Sequence, residues 1–181
     1  MAEKSPTIVI TGKVRFSYAH VWKPASMEEG SVPKYSVSIL IPKTDIATIA
    51  RIKKAIEVAA EQGVSKIGKD GKVPKNYKQP LRDGDEEKED DETYAGHYFL
   101  SATSTKKPGI VDADRQPLMN EDEFYSGCYG RASLNMYAFN VPGNKGIAAG
   151  LNNLQKLEDG ERLGGGATSA EDDFADDDDI L

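Results

Sequence analysis

The sequence predicts a mainly β fold: a small barrel carrying one amphipathic helix, followed by a disordered acidic tail. Three observations lead there. Several segments alternate apolar and polar residues with period two, one segment repeats its isoleucines at helical spacing, and the last eighteen residues contain no base.

Thr7 to Tyr18 is rich in β-branched and aromatic residues and reads as one strand. Its alternation puts Ile8, Ile10, Val14, Phe16 and Tyr18 on one face, with Thr11, Lys13, Arg15 and Ser17 on the other. A polar loop follows Pro24 from Ser26 to Val32. Lys34 to Ile41 is a second strand, with Tyr35, Val37, Ile39 and Ile41 inward and Pro42 as its stop. Asp45 to Gln62 is a helix. Thr44 or Asp45 can cap it, Ile46, Ile49, Ile52 and Ile56 form its apolar stripe, and Gly63 suits its end. Gly63 to Asp91 is rich in lysine, glycine and aspartate and reads as a long loop with short ordered pieces.

Strands resume at Gly96 to Thr105, and Lys106 to Gly109 turns the chain into Ile110 to Asp112. Met119 to Phe124 is a loop or short helix. Cys128 to Phe139 alternates over its full length, and Ile147 to Leu157 is the last strand, entered through a turn from Val141 to Gly146. Five or six strands and one helix fit an OB-fold-like five-stranded barrel, a fold whose face binds oligonucleotides. The barrel domain spans residues 1–163. Gly164-Gly165-Gly166 opens a flexible tail, residues 164–181, too polar to bury a core.

The net charge of −7 is unevenly distributed. The tail carries seven acids; without them the body has twenty-three acids against twenty-three bases. Asp83 to Glu92 holds eight more acids and one base, Lys88, so the remainder has fifteen acids against twenty-two bases. A basic body with segregated acids suits a polyanion-binding surface beside an interaction tail, and equally suits acidic segments that only aid solubility.

No apolar run of membrane-spanning length occurs and the N-terminus lacks a hydrophobic signal region, so a cytoplasmic address is expected. Cys128, the single cysteine, admits no intrachain disulfide and reads as a small buried strand residue. Gly63 to Asp70 fits the spacing of a phosphate-binding loop, but Asp70 stands where a Ser or Thr hydroxyl must meet magnesium. Asp112 to Asp114 begins like a calcium loop, yet Pro117 occupies the turn-glycine position. His20 and His97 are too few for a zinc site without cysteines. The acids from Asp83 to Glu92 lie in a loop, whereas a metal-dependent nuclease holds its carboxylates on rigid elements. No enzyme activity, cofactor or metal site is expected.

Cys128, Gly130, Ala132, Leu134, Met136 and Ala138 share a small apolar face suited to a tight barrel interior. Tyr129, Arg131, Ser133, Asn135, Tyr137 and Phe139 share the opposite face, which could stack unpaired bases or pack beneath a loop. Tyr129, Arg131, Tyr137 and Phe139 are therefore candidate nucleic-acid contacts, with Lys13, Arg15, Lys106 and Lys107 supplying phosphate contacts. In the tail, Asp176, Asp177, Asp178 and Asp179 precede Ile180 and Leu181. Such acids stay solvated and compete with phosphates for a basic groove, while the apolar pair can dock on a partner.

Gly12 to Pro24 (GKVRFSYAHVWKP), Tyr35 to Asp45 (YSVSILIPKTD), Pro80 to Glu86 (PLRDGDE) and Tyr94 to Asp112 (YAGHYFLSATSTKKPGIVD) are four informative blocks. With FYSGCYGRASLNMYAF and GNKGIAAGLNNLQKLEDGERLGG between Phe124 and Gly165, they resemble the small single-stranded-DNA-binding proteins of tailed bacteriophages. The ending DDDDIL is similar to the acidic, apolar-tipped tails of bacterial single-stranded-DNA-binding proteins. The resemblance implies an OB-fold, non-enzymatic coating of single strands in replication, recombination or repair, and residence in the host cytoplasm. Expected partners are single-stranded DNA, replication or recombination proteins held through the tail, and a second copy in a homodimer, with no membrane. The alternatives are an acidic interaction or DNA-mimic protein that binds a basic partner, and a metal-dependent nuclease.

Overall fold

A computed structural model describes residues 6–26, 30, 32–68, 71–73, 77–141 and 144–163. The tail, with Asp176 to Asp179, Ile180 and Leu181, lies outside the described residues, as do Pro142 and Gly143 of the turn expected before the last strand.

The segment expected as one strand at Thr7 to Tyr18 is two: β1, Ile8–Ile10, and β2, Val14–Ala25. Gly12 marks the break, because the chain there crosses the start of the helix. Its N–H donates to Thr48 Oγ1 at 2.9 Å, and a Cβ on Gly12 would lie 2.6 Å from Asp45 Oδ2. Thr11 carries the sheet across the gap, donating N–H to the Ala132 carbonyl and accepting the Ala132 N–H on Oγ1, both at 3.0 Å. The break resets the alternation. Val9 is the buried residue of β1, while Ile8 and Ile10 are half-exposed, and Tyr18, expected inward, is 57% exposed.

β3, Lys34–Pro42, buries Val37, Ile39 and Ile41 as expected, while Tyr35 is only half-buried. Helix α1, Ile46–Gln62, is capped by the Asp45 side chain, which accepts the Thr48 N–H. Its buried stripe is Ile49, Ile52, Ala55, Ile56, Ala59 and Ala60; Ile46, in the first turn, is exposed instead of joining the stripe. Each fully buried isoleucine contributes about 1.5–3 kcal/mol, which fastens the helix over β1 and β7.

Between Gly63 and Asp91 the long loop proves substantially ordered. It contains α2, Val64–Ile67, strand β4, Arg82–Asp83, and α3, Gly84–Glu87, and a 3-10 turn, Glu92–Tyr94, follows. Then come β5, His97–Ser104, β6, Gly109–Val111, a 3-10 turn at Glu121–Glu123, β7, Tyr129–Val141, and β8, Asn144–Glu158.

The barrel closes in the order β2–β3–β5–β8–β7 and back to β2, with β1 continuing the β2 side along β7. All its pairs are antiparallel except β5 with β8. The helix is inserted between the second and third barrel strands of the sequence. Cys128, Gly130, Ala132, Leu134, Met136 and Ala138 all face the core, so the register read from this segment is correct.

Candidate nucleic-acid interface

The outer face of β2, β3 and β5 forms a cleft of about 470 Å³. Its floor follows from the register. Ser38 sits opposite Ser101, Ser36 opposite Thr103, and His20 opposite Ser36, so neighbouring positions carry small hydroxyl side chains. Leu40, Tyr94 and Phe99 form a separate small core at one side, where Tyr94 and Phe99 meet edge to face at 5.1 Å. Tyr94 and Phe99 are themselves buried, so the exposed rings lining the cleft are the Tyr18 phenol and the His20 imidazole. Lys34 and Lys88 add cations to the lining. A flat ring beside a hydroxyl floor can hold a planar base and bond its edge in more than one way.

Tyr18 has φ = 47°, in the left-handed region that non-glycine residues rarely occupy. Such a conformation costs about 1–2 kcal/mol and persists only where its surroundings enforce it. A bulge does so here. Ser17 pairs with Ser38 and His20 with Ser36, so Tyr18 and Ala19 together face Val37 alone. Ala19 N–H donates to Ser126 Oγ at 3.0 Å.

The acidic segment shapes one wall of this cleft. Lys43 Nζ lies 2.7 Å from both Asp83 and Asp85, holding both carboxyls below the usual aspartate range and its own ammonium above the usual lysine range. Asp85 also accepts the Gly96 N–H, Asp91 accepts the Thr93 N–H, and Glu87 pairs with Arg82. These acids fold the segment that delivers Tyr94 and Lys88 to the cleft.

The candidate contacts read from the sequence divide into groups. Lys13 and Arg15 flank the Tyr129 ring at 5.5 and 5.3 Å from its centroid. All three touch the segment 158–161, with Lys13 still exposed. Lys13 pairs with Glu158, and Arg15 donates to the carbonyls of Gly127 at 3.1 Å and Glu161 at 2.8 Å. Gly127 has φ = 116°, and a Cβ there would lie 2.0 Å from the Glu161 carbonyl oxygen, so only glycine lets the segment dock. Tyr125 completes the clamp by donating its hydroxyl to Asp159 and stacking against Arg162 at 4.2 Å.

Arg131 and Tyr137 are exposed along β7, Phe139 is half-buried, and Arg131 Nε donates to the Thr11 carbonyl at 2.9 Å. Lys106 and Lys107 line a second cleft with Ile8, Ile10, Ser133 and Asn152, and Lys107 lies 5.2 Å above Trp22. The two clefts are lined by consecutive residues of β5, Thr103 and Ser104. The sequence reading missed Tyr18, Ser36, Ser38, Ser101 and Thr103. The available signal was the alternating Ser/Thr set in β3 and β5, opposite Val37, Ile39, Leu100 and Ala102.

A family model described as Enterobacter phage Enc34, ssDNA-binding protein, matches residues 7–181. Protein p50 of Acyrthosiphon pisum secondary endosymbiont phage 1 is 32% identical over 168 residues, covering 90% of each chain. The single-stranded DNA-binding protein of bacteriophage Enc34, solved in complex with ssDNA, superposes with a TM-score of 0.76 at 25% identity, over 90% of this chain and 97% of that one. Bacteriophage T7 gp2.5, a single-stranded DNA binding protein, shares the fold with a TM-score of 0.56 at 20% identity over 93% of each chain. The chain therefore belongs to the family of the Enc34 phage single-stranded-DNA-binding protein.

Proposed function

We propose that this protein binds and coats single-stranded DNA without strong sequence preference, serving phage DNA replication, recombination or repair and not catalysing a reaction. The observation that carries the reading is the cleft on the outer β2–β3–β5 face, which exposed Tyr18 lines together with Ser36, Ser38, Ser101 and Thr103 in a chain of this family. That face is the one on which OB-folds take oligonucleotides. Stacking gives affinity that tolerates any base, since every base has a π-face. Lys34 and Lys88 meet phosphates at the cleft. The strand continues past the Lys106-Lys107 turn toward Arg131, Tyr137 and Phe139 on β7, while Lys13, Arg15 and Tyr129 hold residues 158–163.

Residues 164–181 act in the same reading as a tethered competitor for the groove and as the recruiter of replication or recombination proteins, through Asp176 to Asp179, Ile180 and Leu181. Support comes from where the preceding residue is fixed. Leu163 N–H donates to the Ser126 carbonyl at 2.9 Å, and Ser126 is bonded to Ala19, next to Tyr18. A tether at that distance gives an effective concentration of order millimolar.

The test is an equilibrium titration of the full chain with a labelled oligothymidine, competed by unlabelled single strands of mixed sequence, duplex DNA and RNA, over a range of salt. Single strands of any sequence should compete alike, and log K should fall linearly with log salt at a slope of about −0.7 per phosphate contact. A flat salt response, or no binding at low salt, would overturn the proposal.

A further inference from the structure

We infer that Ser126 is a positioning residue for nucleic-acid binding: its hydroxyl fixes the β2 bulge that stands Tyr18 over the cleft. The inference rests on the reading that the cleft receives single-stranded DNA. Tyr18 lines the cleft with 57% of its surface exposed, and it occupies a left-handed backbone conformation that non-glycine residues rarely adopt. The register of β2 against β3 skips one residue there, so Tyr18 and Ala19 share a single partner and the ladder does not set their orientation.

Ala19 N–H finds its acceptor on another element. It donates to Ser126 Oγ at 3.0 Å, across 107 residues of sequence. Ser126 can act as a prop because it cannot itself move freely. The next residue, Gly127, donates N–H to the Phe16 carbonyl at 2.7 Å, and Cys128 accepts from Phe16 N–H at 3.0 Å. The Ser126 carbonyl accepts the Leu163 N–H, and the Tyr125 side chain before it is clamped to Asp159, Gly160 and Arg162. A strand end held at both sides therefore presents one hydroxyl to the N–H of a bulge residue. Without that bond, the bulge can relax to an ordinary extended conformation, which turns the Tyr18 ring away from the floor of serines.

The size of the effect is bounded by the bond. A single hydrogen bond that holds one of two conformations can shift their ratio by about two- to twelve-fold. Ser126→Ala should therefore weaken oligothymidine binding within that range, less than loss of the Tyr18 ring itself. A residue that merely supports the fold would lower affinity whether or not Tyr18 is present; a positioning residue would not. The experiment is a double-mutant cycle on the full chain with Ser126→Ala, Tyr18→Ala and the pair, reading oligothymidine affinity together with thermal midpoint. The expected result is a loss in Ser126→Ala that vanishes in the Tyr18→Ala background. Loss of equal size in both backgrounds, or no loss in a folded Ser126→Ala protein beside a clear loss in Tyr18→Ala, overturns the inference. No effect of Tyr18→Ala would instead sink the reading of the cleft on which it stands. If Ser126→Ala does not fold, Ser126→Cys, close in size and a poorer acceptor, takes its place in the same cycle.

Discussion

Replacing Tyr18 by glycine separates the ring's role in binding from its cost to the fold, because the two effects have opposite signs. The ring is 57% exposed, so folding gains little from it, and base stacking on such a ring is worth about 1–3 kcal/mol. At about 1.4 kcal/mol per decade, Tyr18→Gly should weaken oligonucleotide binding by about five- to 150-fold. Stability should move the other way or stay unchanged. Glycine accepts φ = 47° without steric penalty, releasing about 1–2 kcal/mol, while its extra freedom in the unfolded chain takes back about 0.5–1 kcal/mol. The net lies between about zero and 1.5 kcal/mol of stabilisation, and a domain of this length converts 1 kcal/mol into about 2–4 °C. Fluorescence anisotropy with a labelled oligothymidine, beside a thermal melt of the same preparation, measures both. Unchanged affinity would refute the assignment of Tyr18 to the binding face. A markedly lower melting temperature would mean that the ring is a packing residue after all.

Truncation after Gly166 should raise single-strand affinity at low salt and have little effect at high salt, where screening removes the tail's competition; equal affinities at low salt would remove autoinhibition. The Asp83 and Asp85 carboxyls lie below the usual aspartate range in the fold, so the stability that they and Lys43 contribute is fully present above the unfolded value and is lost as pH falls through the folded one. Hydrogen exchange at the Gly96 amide, which donates to Asp85, should therefore be constant from pH 7 to 5, after correction for intrinsic exchange, and accelerate below about pH 4; Lys43→Met should accelerate it already at neutral pH. Cys128 is fully buried and burial pushes its thiol up, so a thiol reagent at pH 8 should label the unfolded chain and leave the native one unlabelled.

The faces of the long strand β7 were legible from Tyr129 to Phe139, where alternation and small side chains mark the inner face, but the strand runs on to Val141, which was read as the start of a turn. The helix was legible from its isoleucines and from Asp45, except at Ile46, which precedes the first turn's contact with the barrel. The first strand was misread because alternation presumes an uninterrupted ladder. Gly12 breaks it, and the bulge at Tyr18 and Ala19 shifts it again, so the residue that the pattern sends inward is the one the fold exposes. Both interruptions are enforced by partners far away in sequence, Thr48 and Ser126, which local periodicity cannot register. The acids of 83–92 were read as a charge run. Their separate duties as caps and as partners of Lys43 and Arg82 depend on a fold that brings residue 43 to them. For the same reason the sequence found the aromatic face of β7 and missed the serine floor of the cleft, whose four hydroxyls pair across two strands, Ser38 with Ser101 and Ser36 with Thr103, more than sixty residues apart.

Ultraviolet crosslinking of the full-length protein to a bromodeoxyuridine-substituted single strand, with the crosslinked peptides mapped by mass spectrometry, tests most directly that the strand lies in the β2–β3–β5 cleft. Crosslinks are expected in the segment from Phe16 to Lys23, which contains Tyr18, and further ones between Arg131 and Phe139. Crosslinks confined to segments outside β2, β3 and β5 would contradict it.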